Sequence, residues 1–73
     1  MDSRELQELK NLGEKICKIR QSKNFSQEKC AELAEIDRTY ISGLERGKRN
    51  PSYLVLKRLC KVLEISAQVL FQE

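Results

Sequence analysis

Histidine is absent from the sequence, so the chain has no imidazole to act as a metal ligand or as a general base. The three cysteines, Cys17, Cys30 and Cys60, stand far apart and lack the close pairs typical of a zinc site. There is also no glycine-rich phosphate-binding loop, and no serine or cysteine stands beside a candidate general base. We therefore expect a protein that is not an enzyme and that has no cofactor, no metal and no small-molecule ligand.

Long apolar runs are missing as well. No stretch approaches the roughly 18 residues of a membrane-spanning helix, and the acidic start of the chain is unlike a signal peptide. We expect a cytoplasmic protein with no membrane contact. In that reducing compartment, Cys30 and Cys60 on apolar stripes are expected to be small buried hydrophobes. Redox sensing through Cys17, which looks more exposed, is an alternative for that residue.

The charge of the chain is unevenly distributed. The 73 residues are 40% hydrophobic and 34% charged, which suits one small globular domain, and the net charge is only +3. Residues 1–14 nevertheless carry two basic and four acidic side chains, whereas residues 37–61 carry seven basic and two acidic. Clustered positive charge suits a phosphate-facing surface. A basic face that is merely solvated is the alternative.

The segment 37–47 is predicted to form a short helix with two different faces. Ile41 and Leu44 form an apolar stripe at helical spacing. Asp37 suits the N-cap, and Gly47 suits the left-handed position that follows a helix. The opposite face is polar or small and consists of Arg38, Thr39, Ser42, Gly43 and Arg46. One face therefore requires a core and the other a polar ligand.

A second short helix is predicted immediately before this one. Ser26 is its cap, and Cys30, Leu33 and Ala34 form its apolar stripe. Only the two residues 35–36 separate it from the next helix. So short a turn forces a steep crossing, which is the helix-turn-helix geometry that presents the second helix outward.

The remaining periodicity predicts three further helices. Residues 3–23 form one helix, or a short helix running into a longer one, with Asp2 or Ser3 as cap and a bend allowed at Gly13. Ser52 and Ser66 cap two helices that follow Pro51. The apolar stripes of the first and fourth helices are Leu6, Leu9, Leu12, Ile16, Ile19 and Leu56, Leu59, Cys60, Leu63.

The motifs in 26–52 resemble those of a known family. Ser26-Gln27-Glu28, Leu33-Ala34 and the run from Ile36 to Ser52 are similar to the Cro and phage-repressor type (XRE family) of helix-turn-helix DNA-binding proteins, over about Leu12 to Phe71. Arg-Thr-Tyr-Ile-Ser followed by Glu-Arg-Gly and Arg-Asn is most similar to the controller proteins of restriction-modification systems. The resemblance implies an all-α, compact five-helix lambda-repressor-like domain over 1–73. Within it, 1–11 is an N-terminal helical extension and 26–46 the helix-turn-helix.

The same resemblance implies a function. It is that of a sequence-specific transcriptional regulator that binds double-stranded DNA as a homodimer on a two-fold related operator, and that controls a restriction-modification system. A prophage-type repressor and an antitoxin-like protein-interaction module of the same fold are the alternatives.

The resemblance also assigns roles to residues. A structural ion pair between Arg20 and Glu45 would fix the first helix to the end of the recognition helix. Glu35 stands where the family turn commonly has glycine, so we expect an altered turn or lower stability. Tyr40 is either a DNA contact or a packing residue. The implied base contacts are Arg38, Thr39, Ser42 and Gly43, although Gly43 has no side chain for readout; the implied backbone contacts are Gln27, Tyr40, Arg46, Lys48, Arg49, Asn50 and Ser52.

Apolar residues near the C-terminus exceed the needs of one small core. We expect 64–73 to be a dimerisation segment, because a surplus apolar patch on a small domain usually marks a partner. The alternative is that the patch completes the core. The residues concerned are Leu54, Val55, Ile65, Val69 and Phe71.

Overall fold

The computed structural model describes residues 1–72, which form five helices joined by short loops. The helices are α1 (Ser3–Ser22), α2 (Gln27–Ala34), α3 (Arg38–Glu45), α4 (Tyr53–Leu63) and α5 (Ala67–Phe71). Helix α1 packs against α3 and α5, while α2 packs against α3 and α4. The predicted all-α, five-helix fold is confirmed, with bounds close to those expected. In the described part of the chain, every helix is too short or too polar to cross a bilayer.

Helix starts are fixed mainly by the predicted caps. Asp2 and Glu5 form a reciprocal capping box, in which Asp2 Oδ1 accepts from the Glu5 N–H at 2.9 Å. The hydroxyls of Ser26 and Ser52 accept N–H bonds in the first turns of α2 and α4. Asp37 and Ser66 differ from prediction, because their side chains make no capping bond.

At the start of α3 the backbone supplies what the Asp37 side chain does not. The Asp37 carbonyl accepts from the Tyr40 and Ile41 N–H groups at 3.1 and 3.2 Å, which closes the first turn. The Tyr40 N–H therefore has a partner although the Asp37 side chain makes no capping bond.

The core draws side chains from all five helices. Ile16, Ile41, Leu44, Leu59 and Leu63 have no solvent exposure. Leu70 of α5, Cys30 and Cys60 complete this cluster. Cys30 and Cys60 are thus buried hydrophobes, as predicted, and burial raises the pKa of each thiol.

Two leucines assigned to apolar stripes are instead exposed. Leu6 is 47% and Leu33 45% exposed. The first turns of α1 run beyond the helices on which α1 packs, since its first fully buried position is Gly13. In α2, the two neighbouring helices enclose only Cys30, Ala31 and Ala34, which leaves Leu33 on the outer side.

Helix α1 is continuous through Gly13, so of the two predicted arrangements the single helix is confirmed. A Cβ at residue 13 would lie 2.6 Å from the Glu45 carbonyl oxygen, so glycine permits α1 to approach the end of α3 closely. Gly47, at φ +75°, likewise lies against Lys10 of α1.

Left-handed residues end several helices. Gly47 follows α3, but the others are Asn24, Glu35 and Glu64, at φ of 60°, 58° and 57°. Glu35 therefore keeps the turn that glycine usually makes, and the Ile36 N–H bonds back to the Ala31 carbonyl at 3.0 Å. A non-glycine residue in this conformation costs about 1–3 kcal/mol.

Candidate nucleic-acid interface

The polar face of α3 points away from the core. Arg38 and Thr39, at its N-terminal end, are exposed, and Ser42 is half-buried one turn later. Arg46 is exposed at the C-terminal end, where its Nε donates to the Ser42 carbonyl at 3.3 Å. Two guanidinium groups and two hydroxyls are thus available to hydrogen-bond acceptors outside the protein.

The loop after α3 continues this surface. The Lys48 N–H donates to the Gly43 carbonyl at 2.8 Å and closes the end of the helix. Lys48 and Asn50 are exposed. The Ser52 hydroxyl caps α4 by accepting from the Val55 N–H at 3.2 Å, and it remains able to donate its own proton.

Arg49 is folded back onto α3, and with Tyr40 and Gly43 it forms what we call the Arg49 seat. Its Cγ lies 2.9 Å from the place that a Cβ on Gly43 would occupy. Its guanidinium carbon is 5.4 Å from the centre of the Tyr40 ring, within range of a cation–π contact. Gly43, predicted among the base contacts, is therefore buried beneath Arg49.

The orientation of α3 is fixed by an ion pair with α1. Arg20 Nε donates to Glu45 Oε2 at 2.7 Å and Arg20 Nη2 to Glu45 Oε1 at 3.0 Å, a bidentate arrangement. Arg20 Nη1 also donates to the Phe25 carbonyl at 2.6 Å. The structure thus brings the two predicted partners together in an almost wholly buried contact.

Gln27 joins this ion pair, which the sequence did not indicate. Its Nε2 donates to Glu45 Oε1 at 3.0 Å, and the residue is half-buried. The amide has a second N–H, so a phosphate contact and the bond to Glu45 are compatible. Nothing in the sequence around Gln27 indicates a bond to Glu45, because the two residues are 18 positions apart.

The protonation states of the pair follow from this geometry. Burial opposes ionisation of Glu45, but hydrogen bonds from Arg20 and Gln27 and the charge of Arg20 outweigh it, so the pKa of Glu45 is lowered. The hydrogen bond to Glu45 raises the pKa of Arg20. Burial and the nearby Glu45 raise the pKa of Cys17, which disfavours the reactive thiolate and hence the redox alternative.

The other basic side chains of 37–61 lie on α4. Lys57 is exposed, with its Nζ 5.3 Å from the centre of the Tyr53 ring. Arg58 lies beside the α2–α3 turn and donates to the Glu35 carbonyl at 3.5 Å, and Lys61 is exposed one turn later. Among residues 1–72, no group of three or more potential metal ligands is placed to share an ion.

The residues predicted to form a dimer interface are not equally available. Leu54 and Phe71 are 63% and 67% exposed. Val55 and Ile65 are half-buried and pack against the core, so part of the apparent apolar surplus is used within the domain. Val69 is half-buried. Glu73, the last residue of the predicted segment 64–73, lies outside the described residues.

A short helix that presents a polar face, seated on a second helix by a tight turn, defines the helix-turn-helix class of DNA-binding domains. The helix-turn-helix family model HTH_3 matches residues 16–70. The chain belongs to this XRE-type helix-turn-helix family.

Its similar proteins include restriction-modification controllers. Control protein C.MunI from Mycoplasma sp is 40% identical over 62 residues, which cover 84% of each chain. The crystal structure of controller protein C.AhdI from Aeromonas hydrophila superposes with a TM-score of 0.84 at 38% identity, covering 86% of this chain and 96% of that one. The crystal structure of the controller protein C.Esp1396I, as a tetramer in complex with its natural 35 base-pair operator, superposes with a TM-score of 0.78 at 42% identity. The match covers 88% of this chain and 84% of that one.

Proposed function

We propose that this protein is a sequence-specific transcriptional regulator that binds double-stranded operator DNA as a homodimer and controls a restriction-modification system. The observation that carries the proposal is the outward polar face of α3, held by the ion pair between Arg20 and Glu45. The similarity to C.MunI and C.AhdI, both controller proteins by name, supports the particular regulatory role. The protein acts without catalysis or cofactor, in the cytoplasm, where bacterial DNA is found.

The N-terminal end of α3 is the proposed reader of base edges. In helix-turn-helix complexes the N-terminal residues of the recognition helix lie in the major groove. The Arg38 guanidinium is suited to guanine O6 and N7, and Thr39 offers a hydroxyl or, to thymine, its methyl group. Ser42 is half-buried one turn further on, and its short side chain contributes a hydroxyl close to the helix.

The surrounding polar groups are the proposed backbone contacts. They are Gln27 at the start of α2, Arg46 at the end of α3, and Lys48, Asn50 and Ser52 in the loop that follows. Their cations and N–H or O–H donors suit phosphate oxygens. Because such contacts carry no base information, they set affinity and register rather than specificity.

Dimerisation through the exposed apolar residues of α4 and α5 completes the proposal. Leu54 and Phe71 contribute most, since they are the most exposed of the set, and Val69 contributes at the edge. Val55 and Ile65, which pack against the core, contribute less. A two-fold dimer places two recognition helices about 34 Å apart, one turn of B-DNA.

Selection of bound duplexes from a random pool tests this function. We expect enrichment of a two-fold related motif, with affinity that falls steeply as salt increases. Arg38→Ala should relax the preference at one base pair of the selected motif, whereas Arg4→Ala, which removes the same charge from an exposed position on α1, should keep the motif unchanged. Binding that is weak and equal for all duplexes would overturn the proposal and favour an antitoxin-like interaction module.

A further inference from the structure

We propose that Gly43 is a positioning residue: because it has no Cβ, it seats Arg49 on the polar face of α3, and Arg49 and Tyr40 enter the DNA as one preassembled pair. This inference rests on the proposed function. It concerns a glycine in the middle of a recognition helix, where the chain accepts a residue that weakens helices relative to alanine.

The contact geometry shows why glycine is required. Measured from the place of a Cβ on residue 43, Arg49 Cγ is at 2.9 Å, Nε at 3.5 Å and Cδ at 3.8 Å. The aliphatic part of Arg49 therefore lies directly across the helix backbone. Any side chain at residue 43 would displace it.

The position of the seat on α3 indicates its use. Gly43 is four residues after Thr39 and three before Arg46, so all three lie on the polar face. The loop residue Arg49 is thus brought to the surface that carries Arg38 and Thr39. Tyr40, three residues before Gly43, holds the far end through its ring at 5.4 Å. The seat supplies a long cation at a position where α3 itself has no side chain.

Stacking also reduces the cost of ordering Arg49. A free arginine loses considerable rotamer freedom on binding, whereas a side chain already held against a ring and a backbone loses less. The pair therefore contributes to discrimination between operator and random DNA, unlike a phosphate contact made by a mobile loop cation.

Gly43→Ala separates this role from a structural one. Arg49 is exposed and can turn away, so the melting temperature of the variant should be equal to that of the parent or higher, because alanine is the better helix former. The ratio of affinities for the selected duplex and a random duplex should fall about tenfold, as for loss of one specific contact. An unchanged ratio, or equal losses on both duplexes, overturns the proposal.

A double-mutant cycle excludes a direct clash between the new methyl group and DNA. In an Arg49→Ala background, Gly43→Ala should leave the ratio unchanged, because there is no longer a side chain to seat. A second fall of similar size overturns the proposal. Tyr40→Phe keeps the ring face and should retain most of the ratio, whereas Tyr40→Leu should lose it.

Proton NMR of the free protein tests the seat without DNA. We expect nuclear Overhauser effects between the Arg49 methylenes and the Gly43 α-protons, with Arg49 shifted by the Tyr40 ring current, and both should vanish in Gly43→Ala. Their absence in the parent overturns the seat but leaves the proposed function standing. If they are present and no duplex is selected, the proposed function fails and the role of the seat with it.

Discussion

Gly13 and Gly43 are both buried glycines within helices, and their surroundings differ in kind. Gly13 faces the main-chain carbonyl groups of Leu44 and Glu45, which no side-chain rotation can move. Gly43 faces the side chain of Arg49, which can turn away if residue 43 gains a side chain. The first contact fixes α3 to the body of the domain, and the second arranges the surface that α3 presents. A glycine in α1 that contacts the end of α3 and a glycine within α3 thus separate stability from recognition.

Loss of the ion pair between Arg20 and Glu45, which holds α3 against α1, should have the largest effect. Glu45→Gln leaves Arg20 buried without a counter-charge, and we expect a loss of about 3 kcal/mol in the free energy of unfolding, measured in urea. Glu32→Gln is the matched control, since Glu32 pairs with Lys29 at the surface at 3.6 Å and its loss should be near zero. Equal effects of the two variants would contradict a structural role for Glu45.

Gly13→Ala should come next. The new methyl group forces α1 away from the end of α3, at a cost of about 1–3 kcal/mol. The melting temperature should fall, and Gly43→Ala, the same chemical change in the neighbouring helix, should not lower it. If both variants melt alike, the distinction between the two glycines is wrong.

The recognition side is sharpened by comparing Arg38 with Lys48. Arg38→Ala should cost about 1–3 kcal/mol on the selected duplex and relax the preference at one base pair. Lys48→Ala should weaken all duplexes alike and reduce the salt slope by about one. Binding titrations at several salt concentrations measure both, and a changed base preference in Lys48→Ala would contradict its assignment to the backbone.

Acid should give the smallest of these effects. The folded-state pKa of Glu45 lies below its value in the unfolded chain, so its contribution to stability is present at neutral pH and is lost as the pH falls through the lowered pKa. Unfolding free energies between about pH 5 and about pH 2 should therefore fall more in the parent than in Glu45→Gln. Parallel curves for the two proteins would show that folding does not lower the pKa of Glu45.

The sequence predicts local features well and close approaches poorly. The caps at Asp2, Ser26 and Ser52 each lie next to the helix they begin, and Pro51 prevents α3 from continuing into the next helix. The helix bounds could therefore be predicted from neighbouring residues. The roles of Gly13 and Gly43 depend on what another segment places above them. In the sequence a helical glycine indicates only flexibility, so the sequence allows a bend at Gly13 and does not reveal its contact with the end of α3.

In the candidate site, too, features set by neighbouring residues could be predicted, whereas contacts between distant segments could not. Arg38, Thr39 and Ser42 could be assigned from helical periodicity and family resemblance. Arg20 and Glu45 are 25 residues apart, and only the resemblance linked them. The bond from Gln27 to Glu45 and the fold of Arg49 onto Tyr40 were missed, because neither has a spacing that a single sequence reveals.

The three left-handed residues that are not glycine leave the domain room for improvement. Asn24, Glu35 and Glu64 each hold a conformation that glycine adopts without steric cost. Natural drift or an engineer can relieve that cost one position at a time, in small increments. Glu64→Gly, between α4 and α5, should therefore offset part of the stability lost by an interface variant that folds poorly. The left-handed turns at Asn24, Glu35 and Glu64 are therefore positions where a substitution can offset the stability cost of new DNA contacts elsewhere.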